Sequence, residues 1–239
     1  MRPVVAIDCS GDLCSVAVAT SSRVFEQAVR QPGEQLRLLF PMVLSVLEEA
    51  ATTPRDLARI AVAVGPGSFT GLRLAITTAR TMAQILGVPV VPLSTLDLIG
   101  LALLEASPSV QRICVMTDAR KGQIFAACYE ARGSALQRDG DYAVLFPDEA
   151  AIWLGARAGG ATVVGGTAMG AFATVLEPVL GATCKGAPDL WLPRARFAAQ
   201  VGRGDHGPFR EVPFGEVEPL YLRPPDVKKP KMPPQRVVP

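Results

Sequence analysis

The chain has 239 residues, 49% of them hydrophobic and 19% charged, with a mean hydropathy of +0.28. That is chain enough for one large core or two small ones, and too apolar for a disordered tail protein. No run approaches the roughly 18 apolar residues of a membrane span, and a net charge of +2 gives no case for a chain that grips nucleic acid by itself.

The chain opens with three short β-rich runs, Pro3–Asp8, Leu13–Thr20 and Arg23–Arg30, separated by turn residues. The first run is too short for a signal peptide and ends in a charge, so a cytoplasmic protein is expected. Glu34–Ala51 carries apolar residues at three- and four-residue steps and predicts a helix, with a kink or break at Pro41. Thr53-Pro54 starts a short helix, and Arg59–Val64 is a buried strand. A loop, Gly65-Pro66-Gly67-Ser68-Phe69-Thr70-Gly71, leads into a helix over Leu72–Leu86 that Gly87 ends. Val88–Val91 is the next strand, and Ser94 caps a helix from Thr95 to Glu105.

After Ser107-Pro108-Ser109 the scheme begins again. Arg112–Thr117 and Gln123–Glu130 are strands around an Asp118-containing turn. Pro147–Leu154 is helical, Ala161–Val164 is a strand, and Gly165-Gly166 leads into a helix over Thr167–Leu176. Leu192–Gly202 is a further helix. Asp8 and Asp118 hold like places, as do Gly65 and Gly165, at offsets of 110 and 100, so the echo is structural and not a sequence repeat. This predicts an α/β fold, a duplicated ribonuclease-H-like domain of the actin, sugar kinase and chaperone ATPase superfamily, with a reduced second half. The expected units are 1–106, a smaller 107–212, and an extended basic tail, 213–239, holding eight of the 21 prolines.

The scarce residues exclude much. One histidine, His206, rules out a His-rich metal site and leaves a serine triad or a peptidase without a base, so no metal is expected. Cys9, Cys14, Cys114, Cys128 and Cys184 show no CxxC spacing and read as free thiols. Asp8 and Ser10, ending the first strand, and Asp118 in the second half suit a phosphate-and-magnesium turn. The second half lacks the matching glycine run, so the nucleotide site is expected to be degenerate. The loop Gly65–Gly71 could offer helix N–H groups to an anion, or could serve tight packing with Phe69 as a plug; the residues alone leave both open.

At Val64–Arg73 the sequence resembles the TsaB (YeaZ) family of tRNA threonylcarbamoyladenosine biosynthesis. Ala6–Ser10, Pro92–Leu96, Asp118–Phe125 and Glu218–Arg223 follow in the family's order. His-Ser-Glu, common in the family, is replaced here by Gly33-Glu34-Gln35. The resemblance implies a non-catalytic scaffold without a cofactor, with ATP or ADP confined to a complex interface. It implies a heterodimer with the larger relative TsaD, joined by the ATPase TsaE, a homodimer when TsaD is absent, and tRNA contact only through the complex. The partner face is expected on two helices: Leu36, Leu39 and Val43 on one, and Leu72, Arg73, Ala75, Ala79 and Met82 on the other. The alternative is a stand-alone ATPase or small-molecule kinase of the same fold.

Overall fold

The structure, a computed structural model, describes residues 1–31, 33–181 and 183–223. The opening meander is β1 (Val4–Asp8), β2 (Cys14–Ala19) and β3 (Val24–Val29). The helix α1 (Gln35–Glu49) runs unbroken through Pro41. The carbonyl that Pro41 leaves without a donor belongs to Arg37, an exposed residue. A short 3-10 turn over Pro54–Asp56 precedes β4 (Arg59–Gly65), α2 (Phe69–Leu86), β5 (Val90–Ser94) and α3 (Thr95–Ala106). The strands pair in the order β3-β2-β1-β4-β5, antiparallel at the meander and parallel at β1-β4-β5.

The second sheet repeats this topology. It uses β6 (Arg112–Asp118), β7 (Ile124–Arg132), β8 (Ala135–Arg138), β9 (Ala143–Leu145), β10 (Thr162–Gly165) and β11 (Cys184–Lys185). Its order, β8-β7-β6-β10-β11, is that of the first sheet, with β9 added on β7. The fold is the duplicated ribonuclease-H-like one. The helix α4 (Pro147–Gly155) lies where expected. The helix expected over Thr167–Leu176 is broken into α5 (Ala168–Ala171) and α6 (Ala173–Leu176). Phe172 leaves helical geometry between them and packs on the core beneath, with Gly170 weakening the turn before it.

The sequence dictates how the first sheet is covered. Its strands alternate large and small residues, so Val5, Ile7, Val16, Val18, Ile60 and Val62 face one side and Ala6, Ala17, Ala19, Ala61 and Ala63 the other. The large side takes α1 and α2. The small side admits α7 (Ala195–Arg203) so closely that a Cβ on Gly202 would stand 2.8 Å from Cγ1 of Val4. Thus α7, although it falls within the expected second unit 107–212, packs on the first sheet. Residues 213–223, expected to be extended, also pack: they follow Val212, which bridges Val90, Val217 is fully buried, and the Leu220 amide donates to the Val64 carbonyl at 2.7 Å. The basic end expected after Pro225 lies outside the described residues.

α3 is apolar nearly all round and is buried on both sides, as such a helix must be. Leu98, Leu101 and Ala102 meet the first sheet, and Leu96, Ile99, Leu103 and Leu104 meet the second. Its Asp97 accepts hydrogen bonds from the hydroxyls of Tyr129 on β7 (2.7 Å) and Tyr142 (3.0 Å). Burial holds this carboxyl above its ordinary pKa despite those donors. Replacing Tyr129 by Phe strips one donor from a buried carboxylate, so chemical denaturation should show a loss of about 1–3 kcal/mol at neutral pH.

Candidate functional site

The loop Gly65–Gly71 lies directly on the turn that ends β1. A Cβ on Gly67 would stand 2.2 Å from the Ser10 carbonyl oxygen, and one on Gly71 only 1.8 Å from that of Cys9. The Ser68 amide donates to the Ser10 carbonyl at 2.7 Å, and the Ser68 hydroxyl caps α2 by accepting from the Gly71 amide at 3.3 Å. The Thr95 hydroxyl holds the Pro66 carbonyl from β5's end of the sheet, and the Gly65–Pro66 peptide is cis. Close packing therefore occupies two of the amides that an anion would need.

The two aspartates make the same local bond. Asp8 Oδ1 accepts from the Ser10 amide at 3.0 Å, and Asp118 Oδ1 from the Arg120 amide at 2.7 Å. Their surroundings differ. Asp118 lines an open cleft, and its own amide donates to the Thr167 hydroxyl at 2.9 Å. Asp8 is fully buried, does not line the cleft, and has no hydrogen-bond partner at Oδ2. Burial pushes its pKa up to about 6, outweighing the Ser10 bonds that pull it down, with Glu26 adding a smaller upward push. Gly166 repeats the packing of the glycine loop, since its Cβ would stand 2.2 Å from the Met116 carbonyl oxygen. Like Gly65 it has a positive φ, 115° against 120°.

The cleft, about 1050 Å³, separates the two sheets. Ser10, the loop residues Pro66–Gly71, Thr95, Asp118, Thr167 and Arg223 all line it. Segments far apart in sequence thus meet here. Tyr221 stacks on Phe69 with centroids 5.8 Å apart, and the Arg73 guanidinium lies 3.9 Å from the Phe69 ring centre. Arg223 donates to the Ala119 carbonyl at 3.3 Å and to Gln123 at 3.1 Å, bringing the end of the described chain onto the β6–β7 turn. Arg120 and Arg30 flank Asp12 at 3.7 and 3.9 Å. Among the described residues no three of His, Cys, Asp or Glu converge as metal ligands, and no helix is long and apolar enough to cross a membrane. His206 is held by the Ser134 carbonyl and Gln200, within bonds that fix its ring rather than beside a nucleophile.

Comparison with known proteins gives these surfaces a context. The family model for TsaD, tRNA N6-adenosine threonylcarbamoyltransferase, matches residues 34–152. The protein named tRNA threonylcarbamoyladenosine biosynthesis protein TsaB from Bacillus subtilis is 29% identical over 56% of this chain, and that from Escherichia coli is 31% identical over 53%. The chain spans 58% and 54% of the lengths of these relatives. The crystal structure of YeaZ from Pseudomonas aeruginosa superposes with a TM-score of 0.77 at 27% identity, over 93% of this chain and all of that one. The chain is similar to TsaB (YeaZ) proteins in sequence over about half its length and in fold over nearly all of it. A hexokinase of the ROK type from Thermus thermophilus shares the fold alone, with a TM-score of 0.51 at 14% identity over 85% of this chain and 99% of that one.

The partner face expected from the sequence divides. Leu39, Val43, Leu72, Ala75 and Ala79 are core residues, each at most 2% exposed, because their stripe faces the first sheet. Of the expected contacts, Leu36 and Arg73 are exposed and Met82 is half-buried. The apolar residues that α1 leaves to solvent are Leu36, Phe40 and Leu44, at 79%, 58% and 51% exposure. Their four-residue spacing lies within the apolar pattern of Glu34–Ala51, but which of its apolar residues turn outward depends on where the sheet lies.

The Asp8 carboxyl gives a measurable signature. Its folded pKa lies above the unfolded value of 3.8, so the folded chain binds more protons between the two, and stability falls as pH rises through about 6. Asp8→Asn keeps an acceptor for the Ser10 amide and removes the buried charge. Relative to the parent it should gain up to about 3 kcal/mol above pH ~7 and close to nothing below pH ~4, read from urea unfolding at each pH.

Proposed function

We propose that the chain is a scaffold subunit of the assembly that makes threonylcarbamoyladenosine on tRNA. In this reading it binds and activates a TsaD-type subunit, which transfers the threonylcarbamoyl group from threonylcarbamoyl-AMP to N6 of the adenosine beside the anticodon. The chain supplies no catalytic residue and no cofactor. TsaE joins the pair, tRNA is met through the complex, and a second copy takes the partner's place when TsaD is absent.

The observation that carries the reading is the uncovered apolar stripe on α1, Leu36, Phe40 and Leu44, in a chain similar to TsaB proteins. Large apolar side chains recurring on one exposed helix face are an interface signature. Helix packing against a matching helix pair of the partner would cover them. The full burial of Asp8 away from the cleft supports the same reading, because a carboxylate that does not reach the cleft cannot hold a magnesium-bound water there. It weighs against the alternative, a stand-alone ATPase or small-molecule kinase.

Reconstitution with TsaD, TsaE, threonylcarbamoyl-AMP and tRNA tests it: modified tRNA should form with this chain and be lost without it. Phe40→Glu should weaken TsaD binding at least about 100-fold, the loss expected for a central anchor of ~3 kcal/mol, with the circular dichroism spectrum unchanged. Ala79→Glu should instead unfold the chain, since it forces a charge into the core. Steady-state phosphate release by the chain alone, abolished in Asp8→Ala, would favour the kinase or ATPase reading.

A further inference from the structure

We propose that Cys9 and Cys14 are an oxidation site: in the folded chain hydrogen peroxide converts this dithiol to a disulfide, across the turn that seats the glycine loop. The ladder of β1 and β2 pairs Asp8 with Ser15, so the next positions outward, Cys9 and Cys14, stand opposite each other. Their sulfurs are 3.1 Å apart. A disulfide of about 2.05 Å needs them to close by only about 1 Å, within reach of a local adjustment.

A second pair serves as an internal control. Cys114 and Cys128 are direct partners in the β6–β7 ladder, with sulfurs 2.9 Å apart. Both pairs are buried, Cys9 and Cys14 in the core with Ile7 and Val16, and Cys114 and Cys128 in a core with Met116, Leu154 and Met169. They differ in their place on the ladder: Cys9 directly follows β1 and Cys14 opens β2, across the turn Ser10–Asp12 that lines the cleft, whereas Cys114 and Cys128 lie inside β6 and β7. Opening of that one turn therefore admits a small oxidant to Cys9 and Cys14, while reaching the second pair requires parting the ladder.

At 3.1 Å either thiol can give its proton to the other. Whichever is the thiolate attacks one peroxide oxygen, the O–O bond breaks, and hydroxide leaves, giving a sulfenic acid. The second sulfur then attacks the first, the S–O bond breaks, and the departing hydroxide takes the second thiol's proton as water. The proton first lost neutralises the first hydroxide. Two thiols and one peroxide yield one disulfide and two waters. The ring so closed fixes the Cys9 carbonyl against which Gly71 packs.

The test exposes the whole chain to hydrogen peroxide, quenches with catalase, then alkylates in denaturant and maps peptides by mass. The expected result is a Cys9–Cys14 peptide lighter by two hydrogens and closed to the alkylating reagent, restored by dithiothreitol, with Cys114 and Cys128 fully alkylated. Cys14→Ser and, separately, Cys9→Ala should abolish the closed form, while Cys128→Ser keeps it; circular dichroism identifies any variant that fails to fold. Full alkylation of Cys9 and Cys14 after peroxide overturns the proposal. So does linkage of Cys114 to Cys128 alone, or over-oxidation of Cys9 or Cys14 with no disulfide.

Discussion

Two backbones meet at the floor of the cleft more closely than any side chain would permit. With 2.2 Å from a Gly67 Cβ to Ser10 and 1.8 Å from a Gly71 Cβ to Cys9, only glycine fits at either place. This contact fixes the start of α2 and consumes the Ser68 amide. The two possibilities for the loop, anion cradle and tight packing, are thereby weighed by geometry. Packing takes the amides, and the neighbouring Asp8 carboxylate is buried without a counter-charge. The cost of that burial appears as a raised Asp8 pKa, because the one bond from the Ser10 amide does not replace the hydration lost.

The duplication explains why that contact stands at a cleft at all. Both sheets place an aspartate at the end of their first strand and a glycine turn at the end of their fourth, since both share one strand order. α3 lies between the sheets and presents one apolar stripe to each. The two first-strand turns therefore face the same space. The halves then diverge through what covers them. The second half follows its glycine turn with the four-residue α5, too short to bring a row of amides to the cleft, where the first half has the 18-residue α2.

Much of this was legible in the residues. Alternating Val and Ala in β1, β2 and β4 encode a large-residue face and a small-residue face, and Ser94 caps α3 where the sequence places it, whereas α2 starts three residues before the expected Leu72, at Phe69 with Ser68 as its cap. The repeated scheme gave the fold, because strand and helix periods survive divergence that erases identity. What the sequence hid was long-range. β8 and β9 are four and three residues long, too brief for an alternating pattern, and exist because β7 offers an edge. Residues 213–223 look like a proline-rich tail, but Val217 and Leu220 find a groove whose existence depends on β4 and α2. The outward stripe of α1 was hidden for the same reason, since its apolar residues run nearly all round the helix and only the sheet decides which of them are covered.

The division of α1 also bounds what an interface can draw upon. Leu39, Met42, Val43, Val46 and Leu47 already have their burial energy committed to the chain's own core. A partner can gain only from Leu36, Phe40 and Leu44, at roughly 1.5–3 kcal/mol for each side chain fully covered. Three such side chains offset an association cost of the order of 4–15 kcal/mol only in part. A stable complex on this face therefore has to recruit further surface. The exposed rings of Phe69 and Tyr221 are continuous with it through Leu36 and Leu74, which line the same cleft as Phe69. An interface that covers the α1 stripe and these rings together would reach over the cleft mouth, so that the partner's surface, rather than this chain's own residues, completes whatever chemistry takes place there.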